Sequence, residues 1–361
     1  MKKTMTVLLV LFVAFAVFAQ GGKEEAKVET KVAMISDYGD ITDQSFNQTT
    51  YEACKDYCSK SGIAFTYYKP TTDSEADRVG AIEQAINDGY NILVLPGYAF
   101  GGSISTVAPT YPEVKFVGLD ISEFDFTDAK VPENVYSMIY QEELCGYMAG
   151  FAAVKLGYTK LGFLGGMAVP AVVRYGYGFV QGANAAANGA KIEVKYAYGN
   201  QFYGDADITA AMDTWYKAGT ECVFACGGGI YTSAAEAAVK FNGKVIGVDV
   251  DQAPIIDGAY GKGITVTSAM KGLYNSTQDA LKQIIVDNNF AALKGKVATL
   301  GIKGGFVGIP EGEGTQFSSA FTLDDYKSLV ADMESGKIKV DNDIAKDLSQ
   351  VANVIFLGNL K

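Results

Sequence analysis

The strongest constraint in this sequence is a rhythm: from residue 31 onward, short apolar runs alternate with amphipathic stretches of helical length. The runs at 31–36, 64–68, 91–95 and 115–120 read as strands, with helices between them at 44–61, 73–88 and 104–111. After an interruption at 131–134, a run at 135–140 leads into a long apolar helix at 142–156. A second series of strands follows at 160–164, 192–196, 222–226 and 244–249, with helices at 177–188, 207–218 and 232–241. Strands that lack polar alternation are buried on both faces, as in parallel sheets flanked by helices. The expected fold is therefore α/β, two Rossmann-like lobes with parallel sheets. The interruption near 133 is the expected first crossing between lobes. The strand at 264–268 and the helix at 272–286 are the expected return, and 306–309 crosses back. This assigns 31–133 plus 264–290 to an N-terminal lobe and 134–263 plus 291–361 to a C-terminal lobe.

Composition narrows the functions such a fold can host. The 361 residues carry 30 Lys plus Arg against 41 Asp plus Glu, a formal charge of −11, which gives no electrostatic footing for nucleic acid. There is no His, which removes Ser-His-Asp and Cys-His triads, imidazole metal sites and the usual neutral-pH general base. The cysteines at 54, 58, 145, 222 and 226 form no CxxC, so no metal site is expected and buried packing is their expected role. Residues 1–19 read as an export signal: Lys2 and Lys3, an apolar run at 7–18, and Ala19 at the cleavage point. A polar tether at 20–30 follows. The expected location is the periplasm or the outer face of the cytoplasmic membrane.

In open parallel sheets, ligands sit beyond the carboxyl ends of the strands. Here those ends are Asp37 to Asp40, Pro96 to Tyr98, Asp120, Gly165 to Met167, Gly227 to Tyr231 and Asp249 to Gln252. Two lobes facing each other with such edges would enclose a small ligand. Gly228 and its neighbours lack the Lys-Ser/Thr of a phosphate loop and the spacing of a dinucleotide fingerprint, so close approach of backbone to a neutral ligand, or a tight turn, explains them better. The acidic residues admit two readings, paired carboxylates of a glycosidase type or recognition of a sugar diol. Asp249, at the tip of an apolar strand, suits the second.

The stretch 37–48, Asp-Tyr-Gly-Asp-Ile-Thr-Asp-Gln-Ser-Phe-Asn-Gln, resembles the opening signature of the basic membrane protein family of substrate-binding proteins. The segments 116–120, 143–150, 161–166, 227–229, 246–252 and 267–271 follow in the order of that family. The resemblance implies a type I periplasmic binding fold with three hinge crossings. It also implies a purine nucleoside ligand, no cofactor, no catalysis and delivery to the permease of an ATP-driven importer. On that resemblance Phe46 would stack on the purine, Asn47 and Asp120 would bond its edges, Asp249 would take the ribose hydroxyls and Lys271 would reach the ligand. Asp37 and Asp43 fit the entrance of the same pocket. A second stacking ring would come from Tyr231, Tyr175 or Phe202, with Tyr231 favoured because it follows the glycine turn. Most such relatives carry a lipid-modified Cys where Gln20 stands, so lipid anchoring is not expected. Competing expectations are a sugar or autoinducer receptor, an exported nucleoside hydrolase, and a signalling module docking on a sensor.

Overall fold

The computed structural model describes residues 29–37 and 39–361. The export signal and all but the last two residues of the tether lie outside the described residues. The first lobe opens with β1 (Lys31–Ile35), α1 (Phe46–Ser61), β2 (Ala64–Tyr68), α2 (Glu75–Asn87), β3 (Ile92–Pro96), α3 (Phe100–Val107), β4 (Lys115–Leu119) and β5 (Val135–Tyr140). The second series runs α4 (Glu142–Lys155), β6 (Lys160–Gly165), α5 (Pro170–Ala187), β7 (Glu193–Tyr198), α6 (Ala206–Lys217), β8 (Cys222–Cys226), α7 (Tyr231–Phe241), β9 (Lys244–Asp249), α8 (Ala253–Tyr260) and β10 (Thr265–Lys271). The chain ends with α9 (Leu273–Ile285), α10 (Phe290–Leu293), β11 (Lys296–Leu300), β12 (Val307–Gly308), α11 (Leu323–Glu334) and β13 (Asn353–Asn359).

The strands assemble into two sheets, ordered β11-β5-β4-β3-β1-β2 and β12-β10-β9-β8-β6-β7-β13. Every pairing is parallel except β10 with β12. Residues 32–35 and 92–95 are buried on both strand faces, which is why the sequence shows no polar alternation there. Each sheet reverses its strand order once, between β1 and β3 in the first and between β6 and β8 in the second. Such reversals leave a crevice at the carboxyl ends of the strands, and the two crevices face each other.

Sheet membership moves the lobe boundaries. The interruption at 131–134 is a turn inside the first lobe, held by Asn134, whose side-chain nitrogen donates to the carbonyls of Ala108, Tyr111 and Val114. It feeds β5 into the first sheet beside β4. The strand expected to return at 264–268 lies instead in the second sheet as β10, paired with β9. Only the helix after it goes back: Tyr274 of α9 donates to Asp56 at 2.7 Å and Gln278 to the carbonyl of Ala53 at 3.0 Å, both on α1. β11 then joins β5 in the first sheet, and β12 returns to the second. The crossings are therefore at 140–142, 271–273 and 300–307.

Local chemistry sets the elements. Ser74 caps α2 by accepting from the N–H of Asp77, Asp205 caps α6, and Thr322 with Asp325 forms a capping box on α11. α3 begins four residues before the expected helix, despite Gly101 and Gly102. At Gly101 a Cβ would stand 2.2 Å from the Asp125 carbonyl, so packing overrides glycine's poor helix propensity. Glycines also join α4 to α5. A Cβ at Gly146 would meet the Tyr175 carbonyl at 2.2 Å, and one at Gly178 the Glu143 carbonyl at 1.9 Å. The two helix backbones thus touch, which ties the first turn of α4 to the first turns of α5.

Candidate ligand-binding site

Between the strand ends lies a cleft of about 720 Å³, within the range of small-molecule sites. All eleven sequence candidates line it: Asp37, Asp43, Phe46, Asn47, Asp120, Tyr175, Phe202, Gly228, Tyr231, Asp249 and Lys271. The first lobe supplies the first five of these and the second lobe the rest.

Lys271, the last residue of β10, is the hub. Its Nζ lies 2.5 Å from Asp120 Oδ2, 3.6 Å from Glu142 Oε1 and 3.7 Å from Asp249 Oδ1. It also sits over the rings of Phe46 at 4.7 Å, Tyr140 at 5.5 Å and Tyr175 at 5.7 Å. Burial alone would disfavour the ammonium, but Asp120, Asp249 and Glu142 outweigh it and hold Lys271 charged. Desolvation lifts Asp120 above the ordinary carboxylate range against the pull of Lys271. Asp120 and Asp249 both stand at strand ends in the left-handed region, with φ of 58° and 67°, a conformation Asp tolerates better than most residues. That backbone turn aims both side chains across the crevice rather than along the sheet.

The other candidates divide by what they touch. Ser45 donates to Asp249 Oδ2 at 2.6 Å, and the Tyr175 hydroxyl donates to Asp249 Oδ1 at 3.3 Å. Asp43 lines the wall, but its carboxylate accepts the backbone N–H groups of Ser45, Asn47 and Gln48, which fixes the start of α1 and the placement of Phe46. Asn47 donates its side-chain N–H to Asp43 Oδ2 at 3.2 Å. Asp37 accepts from the N–H of Gly39 at 2.6 Å, and burial pushes its pKa up to about 7. Phe202 is half-buried and lies against glycine surface: a Cβ on Gly166 would be 2.4 Å from its ring, and one on Gly227 3.2 Å. Tyr231, at the start of α7, is buried in the second-lobe core.

Four residues of the site were given no role in the sequence reading, although Gln252 stood among the strand-end residues. Glu142 is fully buried at the first position of α4, and Arg174 donates to its Oε2 at 2.6 Å. Arg174 is one of two arginines in the chain and also lines the cleft. A rare guanidinium in the first turns of an apolar helix, and a carboxylate opening another directly after a strand, were the available signals. The roles of Ser45 and Gln252 were missed because their partners lie across the lobes: Gln252 is fully buried and donates to the Gln44 carbonyl at 3.1 Å. The five cysteines are all free and buried. Among the described residues no cluster of His, Cys, Asp or Glu is arranged to hold a metal ion, and no helix is long and apolar enough to cross a membrane.

Two α/β lobes joined by three crossings around a small-molecule cleft are the type I periplasmic binding protein fold. A family model described as ABC transporter substrate-binding protein PnrA-like matches residues 30–353. The chain belongs to this Bmp family, and is thus a substrate-binding protein whose partners are a small solute and a membrane permease. It is 30% identical over 251 residues to the ABC transporter nucleoside-binding protein BmpA of Lactococcus lactis, covering 65% of this chain and 68% of that one. It is 26% identical over 310 residues to Basic membrane protein B of Borreliella burgdorferi, covering 81% and 84%. A solute-binding protein of an ABC transporter system from Aeropyrum pernix shares the fold with a TM-score of 0.67 at 20% identity, over 89% of this chain and 90% of that one.

Proposed function

We propose that this chain is an exported receptor that captures a purine nucleoside between its lobes and presents it, chemically unchanged, to the permease of an ATP-driven importer. The observation that carries the reading is the set of groups around Phe46. An aromatic ring on the cleft wall stands beside two buried acceptor oxygens, on Asn47 and Asp120, that lack a hydrogen-bond partner among the described residues. A flat base with a polar edge satisfies all three at once. Phe202 on the opposite lobe supplies the second ring of the sandwich, rather than the favoured Tyr231, because it is half-buried at the cleft while Tyr231 packs into the second-lobe core. Tyr175 is committed to Asp249, which takes the ribose hydroxyls together with Lys271. The name of the Lactococcus relative, a nucleoside-binding protein, supports the same ligand class.

Substitution of either ring tests the reading. Phe46→Ala and Phe202→Ala are each expected to weaken guanosine or inosine binding by about 1 to 3 kcal/mol in calorimetric titration. Guanosine recovered after long incubation with the wild-type chain is expected intact. Release of free base would replace the receptor by a hydrolase, and unchanged affinity in both variants would remove the stacking site.

A further inference from the structure

The first-lobe wall is built to accept hydrogen bonds. Asn47 has its orientation set by chemistry: its side-chain nitrogen faces Asp43 Oδ2, a carboxylate already bonded to three backbone N–H groups. The remaining atom, Oδ1, is therefore the amide oxygen, an acceptor, and it is buried with no partner among the described residues. Asp120 gives Oδ2 to Lys271 and leaves Oδ1 buried and unpaired. The same wall carries Asp37, Asp40, Asp73 and Asp125 and no Lys or Arg. Thr42 and Ser122 donate their hydroxyl protons to Asp40 and Asp125, which leaves Tyr98 as the remaining hydroxyl. Both cations of the cleft, Arg174 and Lys271, come from the second lobe.

Resting on the nucleoside reading above, we propose that Asn47 and Asp120 make this cleft selective for purines whose six-membered ring presents adjacent N–H donors. The order is guanosine over inosine over adenosine. Guanine offers N1–H and its 2-amino group side by side, a match for two acceptors. Hypoxanthine keeps N1–H alone and leaves one acceptor orphaned. Adenine puts a lone pair at N1, so an acceptor faces an acceptor. A site that depends on hydrogen bonds rejects analogues that leave its buried groups unpaired.

The test is a titration of protein unfolded and refolded to strip carried-over ligand, with guanosine, inosine, adenosine and 1-methylguanosine near neutral pH. Guanosine is expected roughly tenfold tighter than inosine and roughly a hundredfold tighter than adenosine, with 1-methylguanosine, which lacks the N1–H, no better than adenosine. Adenosine binding as tightly as guanosine overturns the selectivity and leaves the nucleoside reading standing. Silence from all four overturns both. In Asp120→Asn, where one acceptor can be exchanged for a donor, the ratio of guanosine to adenosine affinity is expected to fall at least about fivefold. A ratio unchanged in a variant that still folds removes Asp120 from the selection.

Discussion

At the scale of single residues, the site is a buried charge cluster organised by one cation. Lys271 answers Asp120, Glu142 and Asp249, while Arg174 holds the other oxygen of Glu142. Removing the ammonium strands carboxylates in low dielectric, so Lys271→Met is expected to cost roughly 3 to 5 kcal/mol in denaturant unfolding. A loss under 1 kcal/mol would mean the cluster is solvated in the native state. Acidic groups also set the pH profile. Burial raises Asp37 and Glu143 from ordinary values of 3.8 and 4.5 to about 7. Between those limits the folded chain holds protons that the unfolded chain has released, so stability is expected to fall as pH rises from about 4 to about 7. With no His to titrate in that window, the slope reports these carboxyls together with Asp120, Asp43 and Asp251, which burial raises in the same direction. A flat or rising profile would contradict their burial. Of the eleven cleft candidates, Asp37, Asp120, Gly228, Tyr231 and Asp249 were legible from the strand-end rule, and Asp43, Phe46, Asn47, Tyr175, Phe202 and Lys271 through the family resemblance and the second ring it called for. The roles of Glu142, Arg174, Ser45 and Gln252 were not, because nothing local in a sequence says that Ser45 meets a carboxylate 204 positions away.

At the scale of elements, the strands were legible because burial on both faces leaves continuous apolar runs. The sheet to which a strand belongs was not, because an apolar strand such as β5 or β10 satisfies the edge of either sheet equally well. A turn signal at Pro132 reads the same whether the chain changes lobe or doubles back. The same limit applies to α3, where Gly101, which looks like a helix breaker, is required by the approach of Asp125. The α4 and α5 pair gives a sharp prediction. Gly178→Ala puts a methyl 1.9 Å from the Glu143 carbonyl, so the helices must part and shift Arg174 and Tyr175 with them. A loss of about 3 kcal/mol in stability together with weakened ligand binding is expected. Gly312→Ala, with open space around its Cβ, is expected to change stability by less than about 0.5 kcal/mol. Equal effects of the two would show that helix contact does not position the site.

At the scale of the molecule, three crossings let the lobes move as bodies, and direct bonds hold them together. Ser45 to Asp249 and Gln252 to Gln44 span the lobes without a ligand between them. The double variant Ser45→Ala, Gln252→Ala is expected to have a larger radius of gyration than wild type in small-angle X-ray scattering without ligand, with nucleoside narrowing the difference. Identical radii would mean that these bonds do not govern closure. The central claim is the ligand, and calorimetry on the stripped, refolded chain tests it most directly. Purine nucleosides should bind tightly, with cytidine and ribose weak. Heat from ribose or another sugar with none from any nucleoside would leave the fold intact and contradict the account of the cleft.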